Sequence, residues 1–212
     1  MQVLFELGLN QALIQTAANY FGRLSSATSF SYANEFGIKL QGFYRKIKKV
    51  FLWISISFFI CILIFGLYFF SISGDVSSSK WMMPWFFLVL LTSFNLYLTA
   101  QISFFEGLGR VASINKMRIF QSLLASLLMI LILYSPAPLW SVLALPFISF
   151  CTNFLWLFKN SHYLDSIMPV GFKDDETYVF SWMQNIFSLQ WKISLSWISG
   201  YFVFYFFTPF IF

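Results

Sequence analysis

Charge is scarce in this sequence. Of 212 residues, 10% are Asp, Glu, Lys or Arg, against about 25% in an ordinary soluble domain. Too little polar side chain remains to cover a water-facing surface, which excludes a soluble enzyme, a disordered chain and a collagen-like one. Histidine is limited to His162 and cysteine to Cys61 and Cys151, which leaves little material for a zinc, haem or iron–sulfur site. Each cysteine sits inside an apolar run, so both read as small buried hydrophobes and not as a disulfide pair. No cofactor is expected.

Apolar side chain is what the chain has in quantity. Hydrophobic residues make up 59% and aromatic ones 23%, with 30 phenylalanines and a mean hydropathy of +0.75. This is the composition of an integral membrane protein. The net charge of +5 therefore bears on topology and does not point to a nucleic-acid partner.

Crossing a bilayer takes about 20 apolar residues at 1.5 Å each. Val50–Gly74 and Trp81–Phe105 each run without a charge and predict two spans. Ile119–Phe158 is also charge-free but is interrupted at Ser135-Pro136-Ala137-Pro138, where two prolines cannot continue a helix. It predicts a hairpin of spans over Lys116–Tyr134 and Leu139–Phe158. Ile193–Phe212 predicts the fifth strong span. Met1–Phe21 is weaker, because Gln2, Glu6, Asn10, Gln11 and Gln15 interrupt it. Its polar face is acceptable in a helix packed inside a bundle. The fold expected is all-α, a transmembrane bundle of about five strong spans plus one weaker N-terminal helix.

Basic residues choose the orientation. Arg23, Lys39, Arg45, Lys46, Lys48, Lys49, Arg110, Lys116, Arg118, Lys159 and Lys173 all fall in alternate loops, with Lys80 alone opposite. The long loops are accordingly expected in the cytoplasm. Trp53, Trp81, Trp85, Trp140, Trp156 and Trp191 fall near span ends, as an interfacial aromatic belt requires. Phe36, Leu40, Phe43 and Ile47 recur at helical spacing within 34–49. They fit an interfacial helix entering the first span, or a plain positive-inside loop. Lys173-Asp174-Asp175-Glu176 forms a polar patch, and 177–191 an amphipathic approach to the last span.

No catalytic constellation emerges, and the chain is not read as an enzyme. His162 reads as a solvated interfacial side chain, for want of convergent partners. Gly107-Leu108-Gly109 is no nucleotide fingerprint, since no strand precedes it and no third glycine follows at the required spacing. Lys192 has two readings. At the interface it snorkels; deeper in the span it faces a cavity and meets an anionic substrate. Asn95, Gln101 and Gln121 fit hydrogen bonds between helices, or a pathway lining. Glu6 fits an ion pair, a helix cap or a central cavity.

The order of several local patterns resembles one family. Phe5-Glu6-Leu7-Gly8-Leu9-Asn10 resembles the opening of the second helix in Wzx-like O-antigen and capsule flippases of the MOP exporter superfamily. Phe105-Glu106-Gly107-Leu108-Gly109-Arg110, followed by Asn115-Lys116-Met117-Arg118, resembles the family's junction between its fourth and fifth helices. Gln190 through Phe202, closing with Thr208-Pro209-Phe210, resembles its seventh helix. The resemblance implies one lobe of a transporter that flips a polyprenyl-diphosphate-linked oligosaccharide across the bacterial inner membrane, among other surface-polysaccharide assembly proteins. It implies candidate substrate contacts at Lys192, Arg118, Arg110, Asn95 and Glu6. It also implies a division into bundle helices at 1–165, a linker at 166–190 and the first helix of a second bundle at 191–212. Aligned this way, the family's first helix and everything beyond its seventh are missing, so the chain is expected to be an N-terminal portion.

Two other classes remain open. A cation-coupled exporter of similar architecture would need acidic groups in mid-span; between Val50 and Phe105 the charges are Asp75 and Lys80, both in a loop. A membrane-embedded glycan polymerase or acyltransferase would need an external site, and the external loops Ser73–Lys80 and Ser135–Ala137 are short.

Overall fold

The computed structural model describes residues 9–26, 30–73, 78–167 and 188–201. They form six α-helices: α1 (Leu9–Ser25), α2 (Phe30–Ser73), α3 (Ser78–Phe105), α4 (Val111–Leu133), α5 (Ala144–Ile167) and α6 (Ser188–Tyr201). A π-helical turn at Glu106–Arg110 joins α3 to α4, and a 3-10 turn at Pro138–Leu143 leads into α5. No strand occurs among the described residues. Helix is the outcome these sequences favour in an apolar medium, because a helix satisfies its own backbone hydrogen bonds.

Three helical runs are long and apolar enough to cross a membrane: Phe36–Ile72, Trp81–Leu133 and Pro138–Tyr163. The second has 53 residues; straight, it would reach about 80 Å against a hydrocarbon core of about 30 Å. It is bent instead. Gly109 has φ +84°, a left-handed conformation that costs other residues about 1–2 kcal/mol. The break sits inside the Gly107-Leu108-Gly109 sequence.

One boundary differs plainly from the one the sequence suggests. The loop expected over 106–118 is nearly all helix, since α4 starts at Val111 and already contains Lys116 and Arg118. A short polar stretch next to an apolar run is compatible with helix, so charge alone misplaces the boundary. The stretch at 34–49 and the first span are one continuous helix of 44 residues, with Leu40, Phe43 and Ile47 fully buried. The expected hairpin turn lies where two prolines put it: α4 ends at Leu133, and Ser135 N–H closes its last turn onto the Ile132 carbonyl at 2.9 Å. The last expected span is helical from Ser188 to Tyr201; 202–212 lie outside the described residues, as do 168–187 of the expected linker. Cys61 is exposed and Cys151 half-buried, both as free thiols. The expectation that both are buried is thus corrected: in an apolar surrounding a small apolar residue gains nothing by facing inward.

The chain groups into two compact units that cut across sequence order. One comprises Met1–Tyr44, Ser103–Gly109 and Met168–Phe212; the other comprises Arg45–Ile102 and Arg110–Ile167.

The first unit has an aromatic and small-residue core. Ala12, Leu13 and Ala17 of α1 are fully buried. Gly107 is the reason α1 comes so close: a Cβ there would lie 2.6 Å from both the Ala17 Cβ and the Ile14 carbonyl oxygen. Small residues at such a crossing are how helices approach each other without a hydrophobic driving force. Phe43 meets Tyr20 and Phe104 at ring-centroid distances of 6.1 and 5.9 Å, and Tyr44 meets Phe104 at 4.8 Å. Such pairs add about 0.5–1.5 kcal/mol each beyond burial. Helix α6 packs on α1 within this unit.

The second unit sets a seam of hydrogen-bonded polar residues within an apolar core and exposes long apolar stretches. Ser55 on α2 and Ser93 on α3 exchange hydrogen bonds through both hydroxyls, Ser93 Oγ donating to the Ser55 carbonyl at 2.6 Å. Asn95 Nδ2 donates to the Pro146 carbonyl at 2.8 Å and to the Leu91 carbonyl at 3.0 Å; Asn153 Nδ2 donates back to Asn95 Oδ1 at 3.2 Å. Gln121 joins α4 to α5, its Nε2 donating to Ser149 Oγ at 2.6 Å and its Oε1 accepting from Thr152 Oγ1 at 3.2 Å. Trp156 Nε1 donates to Ser113 Oγ at 3.1 Å. The Trp85 indole packs against α2 so closely that a Cβ at Gly66 would fall 2.2 Å from the ring. On the outside, α2 exposes Leu52, Ile56, Ile60, Ile64, Tyr68 and Ile72 in a row. That row is about 30 Å long, the thickness of a hydrocarbon core.

Candidate functional site

The first unit carries two exposed polar rows, and each arises from simple helical spacing. On α1, Gln11, Gln15, Asn19 and Arg23 follow at four-residue intervals, and all are exposed. The opposite face holds the buried Ala12, Leu13 and Ala17. Arg23 Nε donates to Asn19 Oδ1 at 2.9 Å, which fixes the guanidinium at the end of the row. The row extends about 18 Å along the helix. On α6, Lys192, Ser196 and Ser199 recur at intervals of four and three and are likewise exposed, beside the buried Ser194.

Amides and hydroxyls of this kind, left facing hydrocarbon, would cost several kcal/mol each for want of partners. The rows are therefore suited to water or to a polar ligand. Chemically they offer amide donors and acceptors, hydroxyls, and a cation on each helix. Such a set can hydrogen-bond sugar hydroxyls and pair with phosphate oxygens.

The residues singled out from sequence are distributed between the units. Lys192 is exposed in the second turn of α6. Glu6, with the rest of 1–8, lies outside the described residues. Arg110, Arg118 and Asn95 belong to the other unit. Arg110 stacks its guanidinium on the Tyr163 ring, 3.9 Å from the centroid, a cation–π contact that ties the start of α4 to the end of α5. Arg118 is exposed on α4, and its carbonyl accepts from Ser122 Oγ at 2.9 Å. Asn95 is buried, with both its amide oxygen and its amide nitrogen engaged between helices. His162 is exposed at the far end of α5. Among the described residues no three His, Cys, Asp or Glu side chains cluster.

In the sequence Gln11 and Gln15 interrupt a weak span, and nothing short of helical spacing connects them to Asn19 and Arg23. The four-residue spacing was the available signal.

Comparison with protein-family models, with curated proteins and with solved structures finds no match to this chain.

Proposed function

We propose that the chain is part of a membrane transporter that carries a polyprenyl-diphosphate-linked oligosaccharide across the bacterial inner membrane, its long basic loops on the cytoplasmic side and its spans forming one lobe of a MOP-like bundle. The observation that carries this is the pair of exposed polar rows in an otherwise apolar chain. Gln11, Gln15 and Asn19 suit the hydroxyls of an oligosaccharide. Lys192 and Arg23 suit its diphosphate. A snorkelling role accounts for Lys192 alone, whereas Ser196 and Ser199 extend the same face up to two turns further along α6. The helix break at Gly109, inside the Phe105–Arg110 pattern that resembles the family's helix junction, supports the same assignment. A cation-coupled exporter would rest on Glu6, and among the described residues no comparable surface favours it.

Binding in lipid nanodiscs tests the proposal. Wild-type chain should bind a short-chain polyprenyl-diphosphate oligosaccharide saturably. Lys192→Gln should weaken that binding about tenfold, the loss of one charge-assisted hydrogen bond, while Arg118→Gln leaves it unchanged. Absence of saturable binding, or equal affinity for an uncharged glycolipid, overturns it.

A further inference from the structure

Tyr and Trp, with an apolar body and a polar tip, settle where hydrocarbon meets headgroup, and a lipid-facing cation stops there too. Three helices of the second unit carry such residues at both ends of an apolar stretch. On α2 they are Trp53 and Tyr68, both exposed. On α4 they are Arg118 and, at the C-terminal cap, Tyr134, again both exposed. Trp140 in the Pro138–Leu143 turn is exposed, and its counterpart Trp156 on α5 is half-buried.

Contacts between the helices place these residues at two levels. Ser55 bonds Ser93, and Asn153 bonds Asn95, which ties α2, α3 and α5 together at nearly one height. Gln121 brings in α4 through Ser149 and Thr152. From those bonds Trp53, Arg118 and Trp156 each lie within about one helical turn toward Lys49, Lys116 and Lys159. They form the first level. At the other end Gly66 receives the Trp85 indole, and Phe87 meets Trp140 at 6.2 Å between ring centroids. Tyr68 follows Gly66 closely, and Tyr134 opens the turn that leads to Trp140. These three form the second level.

The separation is nearly the same on each helix. It is about 22 Å from Trp53 to Tyr68, about 24 Å from Arg118 to Tyr134, and about 25 Å from Trp140 to Trp156. A typical hydrocarbon core is about 30 Å thick. The exposed row of α2 alone would reach that, because it runs about one turn past Tyr68 to Ile72. Helix α4 has no such extension. Beyond Leu133 come Pro136 and Pro138, which supply no N–H. The turn's N–H groups reach the Ile130 and Ile132 carbonyls and leave those of Leu131 and Leu133 without a partner among the described residues. That end of α4 therefore needs water at the level of Tyr134.

We infer that the second unit fits a bilayer with a hydrocarbon core of about 24 Å and selects the lipid around it by chain length, favouring short acyl chains over long ones. The partner is phospholipid of any headgroup. Beside α4 and α5 the two headgroup layers are drawn together by about 6 Å, which shortens the path of any polar group between them. The inference rests on the membrane placement of the apolar helices and is independent of the transport proposal.

Thermal melting in vesicles of graded thickness tests it, using dimyristoleoyl-, dioleoyl- and dierucoyl-phosphatidylcholine in rising order. Wild-type chain should melt highest in the dimyristoleoyl lipid and lower at each step. Tyr68→Leu/Ile72→Tyr/Arg118→Leu lengthens the stretch on α2 by about 6 Å and hands the basic end of α4 to Lys116, about 3 Å further out. Its optimum should move one step, to the dioleoyl lipid. A variant that merely weakened the fold would melt lower in all three lipids and keep the wild-type order, which would overturn the inference. A wild-type maximum in either thicker lipid overturns it, as do equal melting temperatures in all three. Release of the chain from every vesicle by carbonate overturns the membrane placement as well.

Discussion

The two compact units solve opposite surface problems with the same kind of helix. In the unit built on Arg45–Ile102 and Arg110–Ile167, Ser55, Ser93, Asn95 and Asn153 point inward and bond one another in pairs within a mostly apolar core. The long exposed stretches of its helices are Leu, Ile and Phe, and the exposed cations sit near the ends of those stretches. In the unit containing α1 and α6, the helix–helix contact is made by alanines, Gly107 and aromatic rings, while Gln11, Gln15, Asn19 and Arg23 of α1 and Lys192, Ser196 and Ser199 of α6 remain outside, the latter beside the exposed Trp191 and Leu195. An apolar exterior belongs against hydrocarbon. A polar exterior belongs against water or a ligand. The contrast separates an exterior suited to hydrocarbon from one suited to water or a polar partner.

Introducing a cation on each exterior would test that contrast most severely. Leu123 is 62% exposed near the middle of α4. Leu123→Arg should cost about 2.5–3.5 kcal/mol of insertion and sharply lower the carbonate-resistant fraction. Gln15→Arg, on the exposed row of α1, should leave that fraction nearly unchanged. Equal losses in the two variants would erase the distinction between the units.

A smaller effect is expected where α1 meets Gly107. Gly107→Ala forces a Cβ against the Ile14 carbonyl and Ala17, which should destabilise the fold by about 1–3 kcal/mol, read as a lower melting temperature in detergent. Ala17→Gly in the same chain removes one of the two obstructions and should restore part of the loss. Failure to restore any of it would mean that close approach is not what holds α1 in place.

The least effect is expected from the buried polar seam of the other unit. Asn95→Leu and Asn153→Leu should each destabilise, and their coupling in a double-mutant cycle should be about 0.6 kcal/mol and no more than about 1.7 kcal/mol. Zero coupling would mean that the Asn95–Asn153 bond contributes packing only, and the inside of the second unit would then be polar without being held together by polarity.

These effects also bear on what could be read before the fold was known. The Ser135–Pro138 turn was legible because proline removes a donor and blocks the helix whatever surrounds it. The start of α4 was not, since Glu106–Lys116 is polar enough for a loop and equally able to be helix. Lys192 stood out by charge, but its row did not, because Ser196 and Ser199 acquire meaning only once their exposure is known. Asn95 was open between two roles until Pro146 and Asn153 were found opposite its amide.

The sequence by itself determined that the chain is helical and apolar enough to cross a membrane, because both follow from composition and from the length of the charge-free runs. Only the tertiary structure decided which side of each helix faces in. In water the hydrophobic period would have announced it; in an apolar chain both faces are hydrophobic, and the period carries little information. What selects the inner face is close packing and hydrogen bonding between residues distant in sequence, such as Gly107 with Ala17 and Asn95 with Asn153. Those partners exist only after the helices have met.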